Sequence, residues 1–213
     1  MKIGLFTKRK KTRDELVALI KERLSEKRFI HALGVEEEAL FLSSLLAPEL
    51  SDDISRAALL HDVTKHLTLD EHLKLKPDLS ENDLKSPETI HALTSAVFAE
   101  KVLFESAAVS SMIEHHTTAN KQMTLSEMII FVADYIEKNR SYLPCVTERQ
   151  ILYRELTSSV SREEKYEIIL RSVIRILENT VSYLTEKNSF IHPKTFDALK
   201  SLKEQLHKEK NER

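Results

Sequence analysis

His61-Asp62 closes the apolar run Ala57-Ala58-Leu59-Leu60, and Lys65 and His66 follow within about one helical turn. A second carboxylate, Asp134, interrupts Met128-Ile129-Ile130-Phe131-Val132-Ala133, a stretch that reads as a helix buried on most sides. An unpaired carboxylate in that setting is costly or takes up a proton, so a cation or strong donors should face it. Further imidazoles stand at His31 in RFIHALGV, His91 in TIHALTSA and His115-His116 in MIEHHTTA. Each has an ordinary explanation on its own: a hydrogen-bonded surface histidine, a structural one near a helix start, or a pair at a helix C-terminus, where partial negative charge favours imidazolium. His66, His72 and His207 lack apolar surroundings and read as surface residues.

Cysteine usage narrows the chemistry. The 213 residues hold nine histidines and one cysteine, Cys145. Neither an internal disulfide nor a thiolate zinc site can be built from that, so a bound metal would be held by imidazole and carboxylate. Such donors suit iron, manganese or zinc. The net charge of −2 supplies no global field to recommend nucleic acid or an anionic membrane as partner. The basic run Lys8 to Lys11 reads as a solvated end. The N-terminus lacks the apolar core of a signal peptide and no apolar run has membrane-spanning length, which leads us to expect a cytoplasmic protein.

The elements that must position these residues are helical. Two glycines and five prolines leave few hairpin turns. Capping boxes, in which side chains satisfy orphan amides reciprocally, match at Thr12-x-x-Glu15, Thr68-x-x-Glu71, Thr124-x-x-Glu127, Thr147-x-x-Gln150 and Ser161-x-x-Glu164. Ser86-Pro87 adds an N-cap followed by proline. Helices are expected near 13–24, 35–46, 52–65, 69–75, 88–104, 107–115, 125–138, 148–157, 162–186 and 194–208. The run Ile168 to Leu184 keeps apolar residues at three- and four-residue steps, so one face should pack on the remainder. With no linker and no repeat, the chain reads as all-α and single-domain, a globular bundle of about eight to ten helices. Residues 1–26 would carry an N-terminal helix packed on a domain spanning 27–207, and 208–213 would be a charged, frayed tail.

The order H…HD…H…H…D resembles the HD superfamily of metal-dependent phosphohydrolases. RFIHALGV, LLHDVTK, HHTTANKQMTLSEMIIFVADYIEKNR and IHPKT are similar to the YqeK family within it, across most of the chain. The resemblance implies one ion, most often iron with manganese as substitute, on His31, His61, Asp62 and Asp134. It implies symmetrical hydrolysis of diadenosine tetraphosphate and related dinucleoside polyphosphates to two ADP by a metal-bound hydroxide, in a homodimer. Neutral imidazoles and two carboxylates suit a divalent cation. Asp62 would both ligate and orient the nucleophile, and Lys65 would reach phosphate. His91 and His116 would bind phosphate or hold a second ion. Thr117, Thr118 and Arg140 would contact phosphate, and Ile191 and His192 would line the nucleotide side.

Three departures from the family pattern stand out. Ala92-Leu93 replace Gly-Pro, Ala119 replaces glycine, and Lys138 replaces proline. Glycine permits positive φ, so Ala119 raises the question of a reshaped phosphate loop. Position 115 is histidine where the family tends to an aromatic; of the pair His115-His116, His116 is expected to face the ion because it precedes Thr117-Thr118. Two other readings keep these residues: a phosphohydrolase of nucleoside monophosphates or guanosine alarmones, and a non-catalytic nucleotide sensor.

Overall fold

Residues 9–211 are described by the computed structural model. Met1 to Lys8, including the start of the basic run and of the N-terminal segment, and the last two residues of the tail lie outside the described residues. The described chain is all-α: α1 (Arg13–Arg23), α2 (Glu26–Leu46), α3 (Ser51–Leu60), α4 (Leu69–Leu75), α5 (Glu81–Leu84), α6 (Ile90–Lys101), α7 (Ala107–Glu114), α8 (Leu125–Ile136), α9 (Leu143–Ser158), α10 (Arg162–Glu186) and α11 (Pro193–Asn211). Eleven helices slightly exceed the expected number, because α5 is a four-residue turn. None of the described helices is long and apolar enough to cross a membrane.

The start signals hold at Thr12, Thr68, Thr124 and Ser161, each a reciprocal capping box. Ser80 with Asp83 forms a fifth, opening α5. Thr147 does not cap. It lies inside α9, which begins at Leu143 with Pro144 in its first turn, where a missing amide costs nothing. Ser86 makes no side-chain cap either; Pro87 starts a short 3-10 turn through Thr89, and α6 follows at Ile90.

α2 packs against α3 and α8, and this trio forms the centre. α7 covers α3, α10 lies on α8, and α9 and α11 flank α10. One continuous core results, with Leu42, Leu46, Ile54, Leu59, Ile113, Met128, Val173 and Leu177 fully enclosed or nearly so. Leu16 and Ile20 bring α1 into the same core.

Two boundaries differ from expectation in ways that matter for the site. α2 begins at Glu26, nine residues before the expected 35, so His31 is a helical residue on the central element. Gly34 sits within that helix because α8's end approaches closely there: a Cβ at position 34 would fall on Glu137 Oε2. α3 stops at Leu60 instead of 65, and the chain continues in i→i+3 turns, Val63 to Leu60, Lys65 to Asp62 and Leu67 to Thr64. The His61 ring draws the Ala58 carbonyl to 2.6 Å, and the Thr64 amide bonds sideways to Ser95 Oγ.

His72, expected at the surface, is buried, with Nδ1 2.8 Å from Thr94 Oγ1. Thr94 in turn meets Thr64 at 2.8 Å, so a hydroxyl network fastens the turns after α3 to α6.

Ala119 answers the glycine question. It keeps a left-handed backbone, φ 59°, and its amide bonds to the His115 carbonyl at 3.1 Å. The loop therefore retains a glycine-type conformation at a steric cost to alanine. Ala119→Gly is expected to raise the urea midpoint, by about 0.5–1 kcal/mol of stability once glycine's greater unfolded-state freedom is subtracted.

Candidate metal centre and its cleft

Five elements converge on one point. His31 comes from α2, His61 and Asp62 from the end of α3, Asp134 from the last turns of α8, and His91 and His116 from the start of α6 and the end of α7. Two donor groups share His61: His31, His61 and Asp134 on one side, and His61, Asp62 and His116 on the other. Within each group the donor atoms lie within 4.8 Å of one another.

The tautomers are set from behind. His61 Nδ1 donates to the Ala58 carbonyl and His116 Nδ1 to the Ile113 carbonyl, both at 2.6 Å, which turns each Nε2 lone pair inward. His61 Nε2 is fully buried and has no hydrogen-bond partner. The nearest charged atoms it faces are acceptors, Asp62 Oδ2 at 3.7 Å and Asp134 Oδ1 at 3.8 Å. A buried lone pair aimed between two carboxylates is unfavourable unless a cation joins them.

Protonation states agree with that reading. Burial lowers His61 and His91, and lowers His116 to about 3, so these rings are neutral. Burial pushes the Asp62 carboxyl up, but His61 and His91 outweigh it and hold it well below the usual range. Asp134 is likewise held low, with Arg140 and His31 overcoming burial. His31 runs the other way: burial disfavours its charge, yet hydrogen bonds to Asp134 and Glu137 raise it to about 9. An arriving cation would displace that proton. Neutral imidazoles with ionised carboxylates are what a divalent ion requires, and the donor set fits one.

The partners behind the donors explain their orientation. Arg28 Nη1 holds Asp62 Oδ2 at 2.6 Å, while Asp62 Oδ1 faces His91 Nε2 at 2.9 Å. Glu137 Oε1 lies 3.1 Å from His31 Nδ1, and its other oxygen accepts from the Asn139 amide at 2.7 Å. Sequence reading missed both. Glu137 stands three residues after Asp134 and could have been suspected from that spacing. Arg28 sits three before His31, a relation visible only once α2 is known to begin at Glu26.

The remaining expected residues divide. His116 faces the centre, 3.1 Å from His91 Nε2, whereas His115 turns away to Glu127 Oε1 at 2.8 Å. Lys65 Nζ lies 2.9 Å from His91 Nδ1 and donates to the Glu88 carbonyl at 3.1 Å. Burial lowers its pKa. Arg140 is engaged with Asp134, through Nη2 to Oδ1 at 2.8 Å and Nε to the carbonyl at 3.1 Å, so it fastens that carboxylate in place.

A cleft of about 380 Å³ opens from the centre, a size suited to a small-molecule ligand. Lys65, His116, Thr117, Thr118 and Asp134 line its polar end. Thr117 Oγ1 is a buried hydroxyl without a partner. His192 forms part of the wall, but both its nitrogens are engaged, Nε2 with Asp83 Oδ1 at 3.2 Å and Nδ1 with the Lys194 amide at 3.1 Å. Ile191 beside it does not line the cleft.

Residues 28–139 match the HD domain family. The chain is 32% identical over 187 residues to the symmetrical bis(5′-nucleosyl)-tetraphosphatase of Halalkalibacterium halodurans, covering 86% of this chain and 92% of that one. The enzyme of the same name from Bacillus subtilis is 30% identical over 192 residues, covering 86% and 94%. A crystal structure of a predicted HD superfamily hydrolase involved in NAD metabolism, from Clostridium acetobutylicum, superposes with a TM-score of 0.81 at 26% identity, covering 92% of this chain and all of that one. The family match and these relatives show that the chain belongs to the HD-domain family, in the YqeK branch that includes the symmetrical bis(5′-nucleosyl)-tetraphosphatases.

Proposed function

We propose that this protein hydrolyses diadenosine tetraphosphate and related dinucleoside polyphosphates symmetrically, yielding two ADP. The observation that carries the reading is the unpartnered, buried His61 Nε2 between Asp62 and Asp134, at the head of a cleft large enough for a nucleotide. His31, His61, Asp62 and Asp134 would hold a divalent ion, with His91 and His116 beside it for phosphate or a second ion. A bound cation supplies positive charge against the phosphate oxygens and acidifies a water at neutral pH. The family resemblance supports iron as that ion, a cytoplasmic setting and a homodimer.

The side chains supply the rest. Asp62, clamped by Arg28 on Oδ2, turns Oδ1 toward His91 and His116, where it would orient the attacking water. The water oxygen bonds to one of the two central phosphorus atoms, and the bridging P–O bond breaks with its electron pair leaving on ADP. A phosphate leaving group at neutral pH needs little protonation, so positioning and charge carry the catalysis. Lys65, His116, Thr117 and Thr118 present that charge and those donors at the cleft's polar end.

A substrate panel tests the reading. Turnover is expected with diadenosine tetraphosphate and not with nucleoside monophosphates or guanosine alarmones; the opposite preference would move the protein to another branch of the same chemistry.

The backing of His31 makes a separate prediction. In Gly34→Ala the new methyl would displace the Glu137 carboxylate, which cannot simply swing aside because Asn139 holds it. Metal affinity should fall about tenfold, the usual effect of disturbing a ligand's supporting hydrogen bond. Competition with a calibrated chelator reads it, and unchanged affinity would show that Glu137 does not support the site.

A further inference from the structure

The cleft has a second wall that the metal centre does not use. Ile176, Asn179, Thr180, Tyr183 and Leu184 line it from α10, spaced by three and four residues and therefore one stripe of that helix. Up to Leu177 the apolar positions of α10 are sealed in the core; from Glu178 onward the helix loses its cover, and its stripe overhangs the cleft. Opposite it, at the start of α9, stand Tyr142 and Pro144.

Tyr142 and Tyr183 meet edge to face, centroids 6.4 Å apart and planes at 67°. They remain 56% and 48% exposed, so each ring keeps surface open to a ligand. The cleft therefore runs from a charged end at Asp134, His116 and Lys65 to an aromatic end at these tyrosines. That polarity matches a nucleotide, phosphate at one end and a flat π-face at the other.

We propose that Tyr142 and Tyr183 form the stacking seat for the nucleobase of one half of the substrate. The inference rests on the functional reading above and adds the residues that recognise the base. Stacking tolerates any base face, so the seat contributes affinity and positions the phosphate chain for attack between its two central phosphorus atoms. The Tyr142 backbone caps α9 through its carbonyl, to the Cys145 and Val146 amides at 3.0 and 3.1 Å, and its ring can be removed without touching that cap.

The test compares Tyr142→Ala and Tyr183→Ala with Tyr142→Phe and Tyr183→Phe. Each alanine variant should lower kcat/KM for diadenosine tetraphosphate about tenfold, carried by KM, and weaken calorimetric ADP binding by the same factor. The phenylalanine variants should restore both, because the ring and not the hydroxyl does the stacking. Inhibition by inorganic tetrapolyphosphate, which has no base, should be the same in all of them. Alanine variants that keep KM and ADP affinity, or that lose tetrapolyphosphate inhibition in parallel, would overturn the seat. If the wild-type protein released no ADP from the dinucleotide, the functional reading would fall, and the ADP titration would still decide the stacking role.

Discussion

Asp134→Asn is expected to lower kcat/KM by about a thousandfold and to strip the protein of its metal on dialysis. The amide is nearly isosteric with the carboxylate, so α8 should keep its place in the core. It removes one of the two negative charges that face His61 Nε2. It also takes away the partner that Arg140 and His31 share, both within 3 Å of Oδ1. The His31 pKa should then fall from about 9, since its first supporting hydrogen bond comes from Asp134. Metal content and turnover measured on the same sample check the result. A variant that retains both, with an unchanged circular dichroism spectrum, would show that Asp134 is a structural carboxylate neutralised by Arg140.

The largest stability effect should come from a site that has no part in the chemistry. Arg56 and Glu105 form a two-pronged ion pair, 2.6 Å on each prong, with side chains 6% and 0% exposed. Arg56 also donates to the Lys11 carbonyl at 2.8 Å, so the pair ties the start of α1 and the loop after α6 to α3. Glu105→Ala leaves a buried guanidinium with a carbonyl alone, a loss of about 3–5 kcal/mol and on the order of 10 °C in Tm. Replacing both partners, Arg56→Met with Glu105→Leu, should recover most of it, because the penalty is for the orphaned charge and not for the missing pair. Urea unfolding of the two variants measures both quantities. A Glu105→Ala cost below about 1 kcal/mol would mean water or another acceptor reaches Arg56.

The residues that were legible in the sequence are those whose neighbours along the chain betray them. Asp134 stands out because six apolar residues precede it, and His61-Asp62 because an apolar helix ends on them. The capping boxes at Thr12, Thr68, Thr124 and Ser161 work because their partners are three residues away. What escaped depends on contacts across the fold. His72 follows a polar stretch and looks exposed, yet Thr94, on another helix, buries it. Arg28 acquires a role only when α2 brings it against Asp62, 34 residues further on. Gly34 falls just outside the helix expected from 35 and is instead a residue within α2 that admits Glu137. Arg140 is expected at phosphate from its position after α8, and its two bonds to Asp134, which also make it a support for that carboxylate, become visible only in the fold. Tyr142 and Tyr183 lie about forty residues apart and gain meaning only from the cleft between them.

The most direct measurement is the product distribution from diadenosine tetraphosphate with anaerobically purified, iron-loaded protein, before and after chelation. Release of ADP alone, lost with the metal and restored by iron or manganese, is the predicted result. AMP with ATP, or turnover that survives complete removal of metal, would contradict the assignment of His31, His61, Asp62 and Asp134 as the centre of a symmetrical hydrolase.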